Sequence, residues 1–312
     1  MLATLMLGLC ASGVVDAIAQ GPSSRAVGVV YPEIREPFNA VFDDIIAGIE
    51  RPLGSNLRRL KVEKDDTDNT VNEWVEREGL GAVVVLGRRA LDLSDDLEAD
   101  VPIVAGGLLS APTQYPPQMS GILLAPAPDA LFARLKQLAP RVKRVVVFYN
   151  EANTGWLMRF GELAAERHGL VFDARPVESL KVAAREYKEL MSEIVSDEDA
   201  VWLPQDPGSV DDRVVLPALL RESWDREFVV FSSNPSHVPR GALFSLFPDN
   251  VRMGESLGAL ALNRAVENRI ADERFVPLRD LSIAVNVRTA EHLGYTLSRV
   301  DIRQFDLVFP AQ

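Results

Sequence analysis

Short apolar runs rich in β-branched residues alternate with amphipathic helical stretches along most of this chain, and the alternation occurs twice. The clearest helical stretch is 38–49, where apolar side chains recur at the spacing of one helix face. The predicted strands are 26–31, 57–64, 82–87, 102–105 and 121–125 in the first series, and 144–149, 170–177, 200–203 and 228–231 in the second. Apolar strands separated by single helices are typical of parallel sheets covered on both faces. The sequence therefore predicts an α/β protein of two Rossmann-like lobes, each a parallel sheet flanked by helices.

The pattern changes after residue 231, and the remaining chain is too short for a third domain. A predicted strand at 242–247, a helix at 250–268, a strand at 281–285 and a short helix ending at Gly294 are interpreted as chain that completes both lobes. On this interpretation the first lobe comprises 26–125 and 243–272, and the second comprises 126–242 and 273–312. The chain would cross between the lobes near residues 125, 243 and 273, forming a three-strand hinge that restrains the lobes to a bending motion.

The first nineteen residues are typical of an export signal. Met1–Val15 is almost wholly apolar, and Ala17 and Ala19 supply the small residues of a cleavage site, so we expect cleavage after Ala19 and a periplasmic mature protein. The run is too short to span a bilayer permanently. Because no basic residue precedes it, a buried first helix or strand remains the alternative. The single cysteine, Cys10, lies in this segment, so the mature chain would carry no thiol.

Charge and motif content exclude several classes of function. The net charge of −12 and the lack of a block rich in lysine and arginine indicate that neither nucleic acid nor an anionic membrane is a partner. Neither G-x-G-x-x-G nor G-x-x-x-x-G-K-[ST] occurs, so we expect no nucleotide cofactor. His168, His237 and His292 are far apart and none has a partner at metal-ligand spacing, which predicts no metal site.

Several stretches resemble the ABC transporter substrate-binding proteins of the tryptophan-binding type. They are Tyr149-Asn150-Glu151-Ala152-Asn153-Thr154, the Trp-Leu-Pro-Gln-Asp string at 202–206, and 284–294 with its Asn-x-x-Thr-Ala-x-x-Leu-Gly string. The chain departs from the family at two ligand loops, where Gly106 replaces part of an Asp-Pro turn and Tyr31-Pro32-Glu33 replaces a turn rich in serine and asparagine. The resemblance covers nearly the whole mature chain and implies the type I periplasmic-binding-protein fold. It also implies an apolar amino acid or similar small carboxylate as ligand, an inner-membrane ABC permease as partner and a monomeric protein.

Polar and aromatic residues follow the predicted strands at their carboxyl ends, where parallel sheets bind ligands. A cleft between two such edges suits a small solute with an apolar portion. The candidate ligand-binding residues are Tyr31, Glu33, Asp68, Asn69, Gly87 and Gly106 in the first lobe, and Asn150, Asn153, Thr154, Trp156, Gln205, Asp206, Ser233 and Asn234 in the second. Helix caps and turns select the same residue types, so Asn153, Thr154, Asn69, Asp206 and Asn234 each have a purely structural alternative.

One motif favours an enzyme instead. Gly254-Glu255-Ser256-Leu257-Gly258 matches the G-x-S-x-G elbow of serine hydrolases, and Ser256, Asp280 and His292 occur in hydrolase order. An elbow serine needs a tight turn directly after a strand, whereas Ser256 falls inside a predicted helix, where the two glycines would let the helix approach a sheet closely. We therefore expect a non-enzymatic solute-binding protein of an importer. The alternatives are a hydrolase using Ser256 and an extracytoplasmic ligand sensor of the same fold.

Overall fold

The computed structural model describes residues 26–33, 39–95, 97, 101–112, 114–267 and 273–310. The predicted signal peptide, residues 1–19, lies outside these ranges, and so does Cys10. Within the described ranges, no helix is both long and apolar enough to cross a membrane.

Strands and helices alternate along the described chain as the sequence predicts. The strands are β1 (Val27–Pro32), β2 (Leu57–Val62), β3 (Ala82–Leu86), β4 (Ile103–Gly106), β5 (Met119–Pro126), β6 (Arg144–Tyr149), β7 (Val171–Pro176), β8 (Asp199–Leu203), β9 (Val229–Ser232), β10 (Phe244–Pro248), β11 (Phe275–Leu278), β12 (Leu281–Asn286) and β13 (Leu307–Phe309). The helices are α1 (Asn39–Leu53), α2 (Asp68–Glu78), α3 (Gly87–Asp92), α4 (Pro128–Leu138), α5 (Glu151–His168), α6 (Leu180–Leu190), α7 (Val215–Arg226), α8 (Asn250–Glu267), α9 (Val287–His292) and α10 (Arg299–Ile302).

The first sheet is parallel throughout, in the order β11-β5-β4-β3-β1-β2. Its central strands are buried on both faces, because α1 and α8 cover one face and α2 and α3 cover the other. Val83 and Val85 of β3 belong to one core and Val84 to the other, as the two-residue repeat of a strand requires.

The second sheet has the order β13-β12-β10-β9-β8-β6-β7. Helices α4 and α5 cover one face, and α6 and α7 cover the other. Strand β12 pairs antiparallel with β10 and parallel with β13, so these two strands at the hinge-side edge run against the rest. The second sheet is therefore mainly parallel, and β12 and β13 run the other way because the chain enters β12 from the hinge end of the sheet.

Strand pairing shifts two of the predicted crossing points. Strand β10 lies in the second sheet and β11 in the first, so the chain crosses after residues 126, 248 and 278 rather than near 125, 243 and 273. Two backbone hydrogen bonds tie the crossing segments together, from Ala127 N to Leu278 O (2.8 Å) and from Asp249 N to Asp280 O (3.0 Å). Each segment is therefore braced by its neighbour, as a hinge that bends without coming apart requires.

The two glycines of the G-x-S-x-G motif bring two helices together. A Cβ on Gly254 would collide with the carbonyl oxygen of Ile45 in α1, and one on Gly258 would lie 2.9 Å from Ile49 O. Gly48 faces α8 in the same way. The glycines therefore serve close packing, as one interpretation of the sequence holds, but the surface they approach is a helix and not a sheet.

Candidate functional site

The carboxyl edges of the two sheets face each other across the hinge. Strand β5 is parallel to its neighbours and ends where the chain crosses into the second lobe, so the first sheet directs its strand ends toward that lobe. Strand β10 is parallel to β9 and ends where the chain returns, so the second sheet directs its strand ends back. The loops that follow the strands therefore border the cleft between the lobes.

Asp206 lies just after β8 and organises the hydrogen bonds at the carboxyl edge of the second sheet. Its side chain is buried and accepts four hydrogen bonds, from Asn150 N (2.6 Å), Asn153 Nδ2 (2.8 Å), Thr154 Oγ1 (2.6 Å) and Gly208 N (2.8 Å). Four donors occupy the acceptor positions of both carboxylate oxygens. The carboxylate therefore fastens the loop after β8 to the start of α5.

Asn150 is the N-cap of α5, and its side chain forms hydrogen bonds both within α5 and to the loop after β7. Its Oδ1 accepts from Ala152 N (3.2 Å), while its Nδ2 donates to Val177 O (3.1 Å). Asn150, Asn153 and Thr154 are thus brought together with Asp206, as predicted. Because these side chains hold the cleft wall together, we expect replacement of Asn150 or Asp206 to reduce stability as well as solute binding.

Trp156 stands where the two lobes meet. The ring is half-buried and packs against the core of the second lobe and against the core between α2, α3 and the first sheet. Its Nε1 is buried and has no hydrogen-bond partner among the described residues. An unpaired buried N–H costs free energy, so an acceptor placed here by a solute would be favourable.

Two more buried hydroxyls near Asp206 lack a partner in the described part of the chain, those of Tyr187 and Ser209. Burial raises the pKa of Tyr187, and the negative charge of Asp206 adds to the effect. At the end of β6, directly before Asn150, burial and the carboxylates of Glu151 and Glu162 raise the pKa of Tyr149. The hydroxyls of Tyr187 and Tyr149 are therefore held in the neutral form beside these carboxylates.

Ser233 and Asn234 follow β9 and are held in a second network. Ser233 Oγ accepts from Trp202 Nε1 (3.0 Å), and Asn234 caps a short helical turn by accepting from Ser236 N (3.0 Å). Beside them His237 is buried, with Nδ1 2.9 Å from Ser232 Oγ and Nε2 3.0 Å from Asp212 Oδ1. Burial lowers the pKa of His237, although Asp212 acts in the opposite direction.

Gln205 differs from its neighbours in having no described partner for its side-chain amide, although it is only partly exposed. It immediately precedes Asp206, whose network fixes the loop. Gln205 is thus the second-lobe residue best placed to offer an uncommitted amide to a solute.

The first-lobe candidates are less closely gathered. Glu33 is exposed and paired with Lys61 (2.9 Å), while Asp68 and Asn69 lie exposed in the first turn of α2. Tyr31 is half-buried against the core between the first sheet and the α1–α8 pair. Of these four, only Tyr31 packs against a core.

The two glycine candidates of the first lobe have packing roles. Gly87 has φ +78°, the left-handed region that glycine adopts most easily, and a Cβ on Gly106 would lie 2.6 Å from Leu257 of α8. A Cβ on the adjacent Gly107 would lie 3.3 Å from Gly87 N, so the loops after β3 and β4 touch.

Sequence reasoning missed Arg88 and Arg89, which follow Gly87 in the first turn of α3, just after β3. Arg89 donates to the carbonyls of Lys64 (2.9 Å) and Asp66 (2.7 Å) and so braces the loop after β2. Arg88 is exposed and forms no ion pair with any described residue. The signal was present in the sequence, because Arg88 directly follows the predicted strand 82–87, and residues at strand ends were the ones selected as candidates.

The hydrolase triad is not assembled. Ser256 Oγ donates to Asp280 Oδ2 (2.6 Å), but His292 is engaged with Trp224, whose ring it stacks on at 3.6 Å and whose carbonyl lies 2.8 Å from its Nε2. Ser256 lies within α8, not on a turn after a strand. Over the described residues there is also no cluster of side chains suited to a metal ion.

Two α/β lobes with facing strand ends, joined by three crossing segments, define a two-lobed binding protein of the type I periplasmic-binding-protein fold. Solved structures share this fold. One is a ligand-free, open substrate-binding protein with adhesive properties from Clostridium difficile, with 16% identity, 92% of this chain and 100% of that chain covered, and a TM-score of 0.59. Another is a periplasmic ribose ABC transporter protein from Conexibacter woesei, with 12% identity, 88% of this chain and 96% of that chain covered, and a TM-score of 0.51. An ABC domain in complex with L-Trp from Streptococcus pneumoniae is also similar, with 18% identity, 91% of this chain and 100% of that chain covered, and a TM-score of 0.49.

The family model for ABC transporter substrate binding proteins matches residues 131–301, which is more than half of the chain. The chain belongs to this family, as the resemblance of its strand-end motifs implied. No curated protein sequence matches it significantly.

Proposed function

We propose that this protein is the extracytoplasmic solute-binding component of an ABC importer, and that it captures a small solute in the cleft between its lobes. The observation that carries the proposal is that the strand ends of the two sheets face each other over a braced, three-segment hinge. Ligands bind at the carboxyl ends of open parallel sheets. Closure of two such edges would enclose a solute from both sides.

The groups bordering the cleft favour a solute with an apolar body and a carboxylate, such as an apolar amino acid. Trp156 offers an aromatic face and an unpaired N–H, and Gln205 offers an uncommitted amide. Arg88 supplies a guanidinium without a described ion pair, which suits a carboxylate. Asp206 is fully engaged by protein donors, so the solute would rest on its network and leave the carboxylate undisturbed.

A thermal-shift screen of residues 20–312 against amino acids, small carboxylates and amines tests the binding role. A solute at 100 times its dissociation constant should add about 2.7 kcal/mol to the free energy of unfolding. Gln205→Ala and Arg88→Ala should reduce the shift while leaving the melting temperature of the free protein unchanged. Gln304→Ala, on an exposed part of the second lobe, is the matched control. If no compound of these classes shifts the melting temperature, the proposal loses its basis.

The importer role is tested separately in cells. Deletion of the gene should abolish uptake of the solute found in the screen, and restoring the gene should recover it. A strain that keeps full uptake but loses a transcriptional response to the solute would instead establish the sensor alternative.

A further inference from the structure

A cavity of about 470 Å³ lies at the junction of the two lobes. Its walls come from β5 and β11 of the first lobe, from α4 and α5 of the second, from α8 and from the crossing segment at 279–280. The strand-end residues assigned to the cleft are absent from its described lining. It is therefore a hinge cavity, separate in composition from the proposed solute cleft.

The floor of the hinge cavity is apolar. Ile122 and Val276 face it from the first lobe, and Phe160 and Leu163 face it from the second. The side chain of Leu163 is 54% exposed, which is unusual for a leucine at the junction of two packed lobes. Apolar walls of this extent suit a hydrocarbon body, and the volume lies in the range of ordinary small-molecule sites.

The carboxylates at the rim of the hinge cavity interact with partners within the protein. Asp129 pairs with Arg167 (2.7 Å), and Glu273 pairs with Arg159 (3.5 Å). Asp280 accepts a hydrogen bond from Ser256 Oγ (2.6 Å) and interacts electrostatically with Arg252. Arg279 also lines the cavity, is exposed, and lies within ion-pair distance of no described carboxylate. Arg279 is therefore the cation of the described lining that can pair with a negative group on a bound molecule.

We propose that the hinge cavity binds an amphipathic monocarboxylate, with its hydrocarbon body on the apolar floor and its carboxylate on Arg279. The guanidinium can receive a carboxylate in a two-point contact, which a lysine ammonium cannot do with the same geometry. Asp129 and Glu273 are already paired with arginines, so neither is free to pair with a cationic group of the bound molecule. An aliphatic amine would meet the unpaired guanidinium of Arg279 and be disfavoured.

Occupancy of this cavity would favour the present arrangement of the lobes. Its walls belong to both lobes, so bending at the hinge changes its shape. A molecule that binds one arrangement more tightly shifts the population toward it. The effect does not depend on which solute, if any, the cleft binds.

Calorimetric titration of the mature protein with sodium octanoate tests the proposal. We expect a single site with a dissociation constant below about 1 mM, and octylamine and octan-1-ol should bind at least about tenfold more weakly. Arg279→Ala should weaken octanoate binding about fivefold or more, Arg279→Lys should restore part of it, and Leu163→Asp should abolish it. Both positions are exposed, so the variants should fold. Arg303→Ala, at an exposed arginine elsewhere in the second lobe, is the matched control and should bind as the unaltered protein does.

Absence of octanoate binding overturns the proposal. Equal binding of octylamine, or octanoate binding that survives both Arg279→Ala and Leu163→Asp, overturns it as well, because the molecule would then lie elsewhere or be held without regard to charge. None of these outcomes bears on the thermal-shift screen for the cleft solute, so the two proposals can fail separately.

Discussion

Asp206 shows how one side chain can organise a binding edge without being free to bind. Its four donors come from the backbone of residues 150 and 208 and from the side chains of Asn153 and Thr154. A buried carboxylate is stable only when such donors compensate for the water it has lost. The loop after β8 and the start of α5 therefore stabilise each other, and disturbing one of them should destabilise the other.

Replacing Asp206 by Asn should lower the free energy of unfolding by about 3 kcal/mol, because an amide NH2 would face donors that need an acceptor. Urea denaturation measures the loss. Asp225→Asn, at an exposed position, is the control and should change stability by less than about 0.5 kcal/mol. A stable Asp206→Asn protein that loses only solute binding would show that the carboxylate contacts ligand instead.

His237 should make stability depend on pH. Burial lowers its pKa in the folded protein, while Asp212 opposes the shift and Arg240 adds to it. Below about pH 6.5, the usual histidine pKa, the unfolded chain therefore binds a proton that the folded chain refuses. The free energy of unfolding should fall by up to about 1.4 kcal/mol for each pH unit below that point, until the folded histidine also protonates.

Urea denaturation at pH 7.5 and 5.5 tests this, with His237→Gln as the comparison. The variant should lose less stability between the two pH values than the unaltered protein does. If both lose the same amount, His237 takes up its proton equally in the folded and unfolded states.

Sequence reasoning located Asn150, Asp206 and Asn234 near strand ends, because the end of a buried parallel strand is visible as the end of an apolar run. It could not show which of them bind each other. Asn150 and Asp206 are far apart in sequence, and their hydrogen bond depends on the pairing of β6 with β8. For the same reason the sequence could not show that the side chain of Gln205 has no hydrogen-bond partner among the described residues, whereas that of Asp206 accepts four hydrogen bonds.

At the scale of elements, the strands with clear apolar runs were predicted within a few residues. Strand β11 was missed because Pro277 interrupts Phe275-Val276-Pro277-Leu278, and proline removes a donor from the sheet. Proline is tolerated in β11 because this strand lies at the edge of the first sheet, where one side of the strand needs no hydrogen-bond donor. An edge position is decided by the whole sheet, so the local sequence could not reveal it.

The α1–α8 contact depends on glycine at three positions. Gly254→Ala should reduce stability by about 2–3 kcal/mol, because the new methyl group meets the backbone of α1 and the helices must separate. Gly155→Ala in α5 is a matched control, since its methyl group meets only the flexible end of the Glu151 side chain. The control should gain up to about 1 kcal/mol from helix propensity. Thermal denaturation of the two variants should therefore give shifts of opposite sign, and shifts of the same sign would argue against close helix packing.

At the scale of the whole molecule, the two-lobed plan followed from the repeated alternation of strands and helices, but the crossing points did not. The interpretation of 243–272 as chain that completes the first lobe placed β10 in that lobe. The chain instead completes β10 in the second sheet before it crosses, and β11 in the first sheet before it returns. The sheet that a strand joins is defined by its pairing, so only the pairing can locate these crossing points.

Export is the whole-molecule property that residues 1–25 should confer. A reporter fused to them should cross the inner membrane and carry Gln20 at its new amino terminus, as protein sequencing would show. Replacing Ala17 and Ala19 by Leu should leave targeting intact and block cleavage, because the processing site accepts small side chains. A reporter that stays in the cytoplasm would contradict the periplasmic assignment.

The partnership of α1 with α8 has a consequence for the order of synthesis. Helix α1 is among the first elements to leave the ribosome, whereas α8 follows only after most of the second lobe has been made. Until then Ile45 and Ile49 lack the cover of Met253 and Leu257, and β5 lacks its neighbour β11. The first lobe therefore cannot complete its core until α8 and β11 have been made, which is after most of the second lobe.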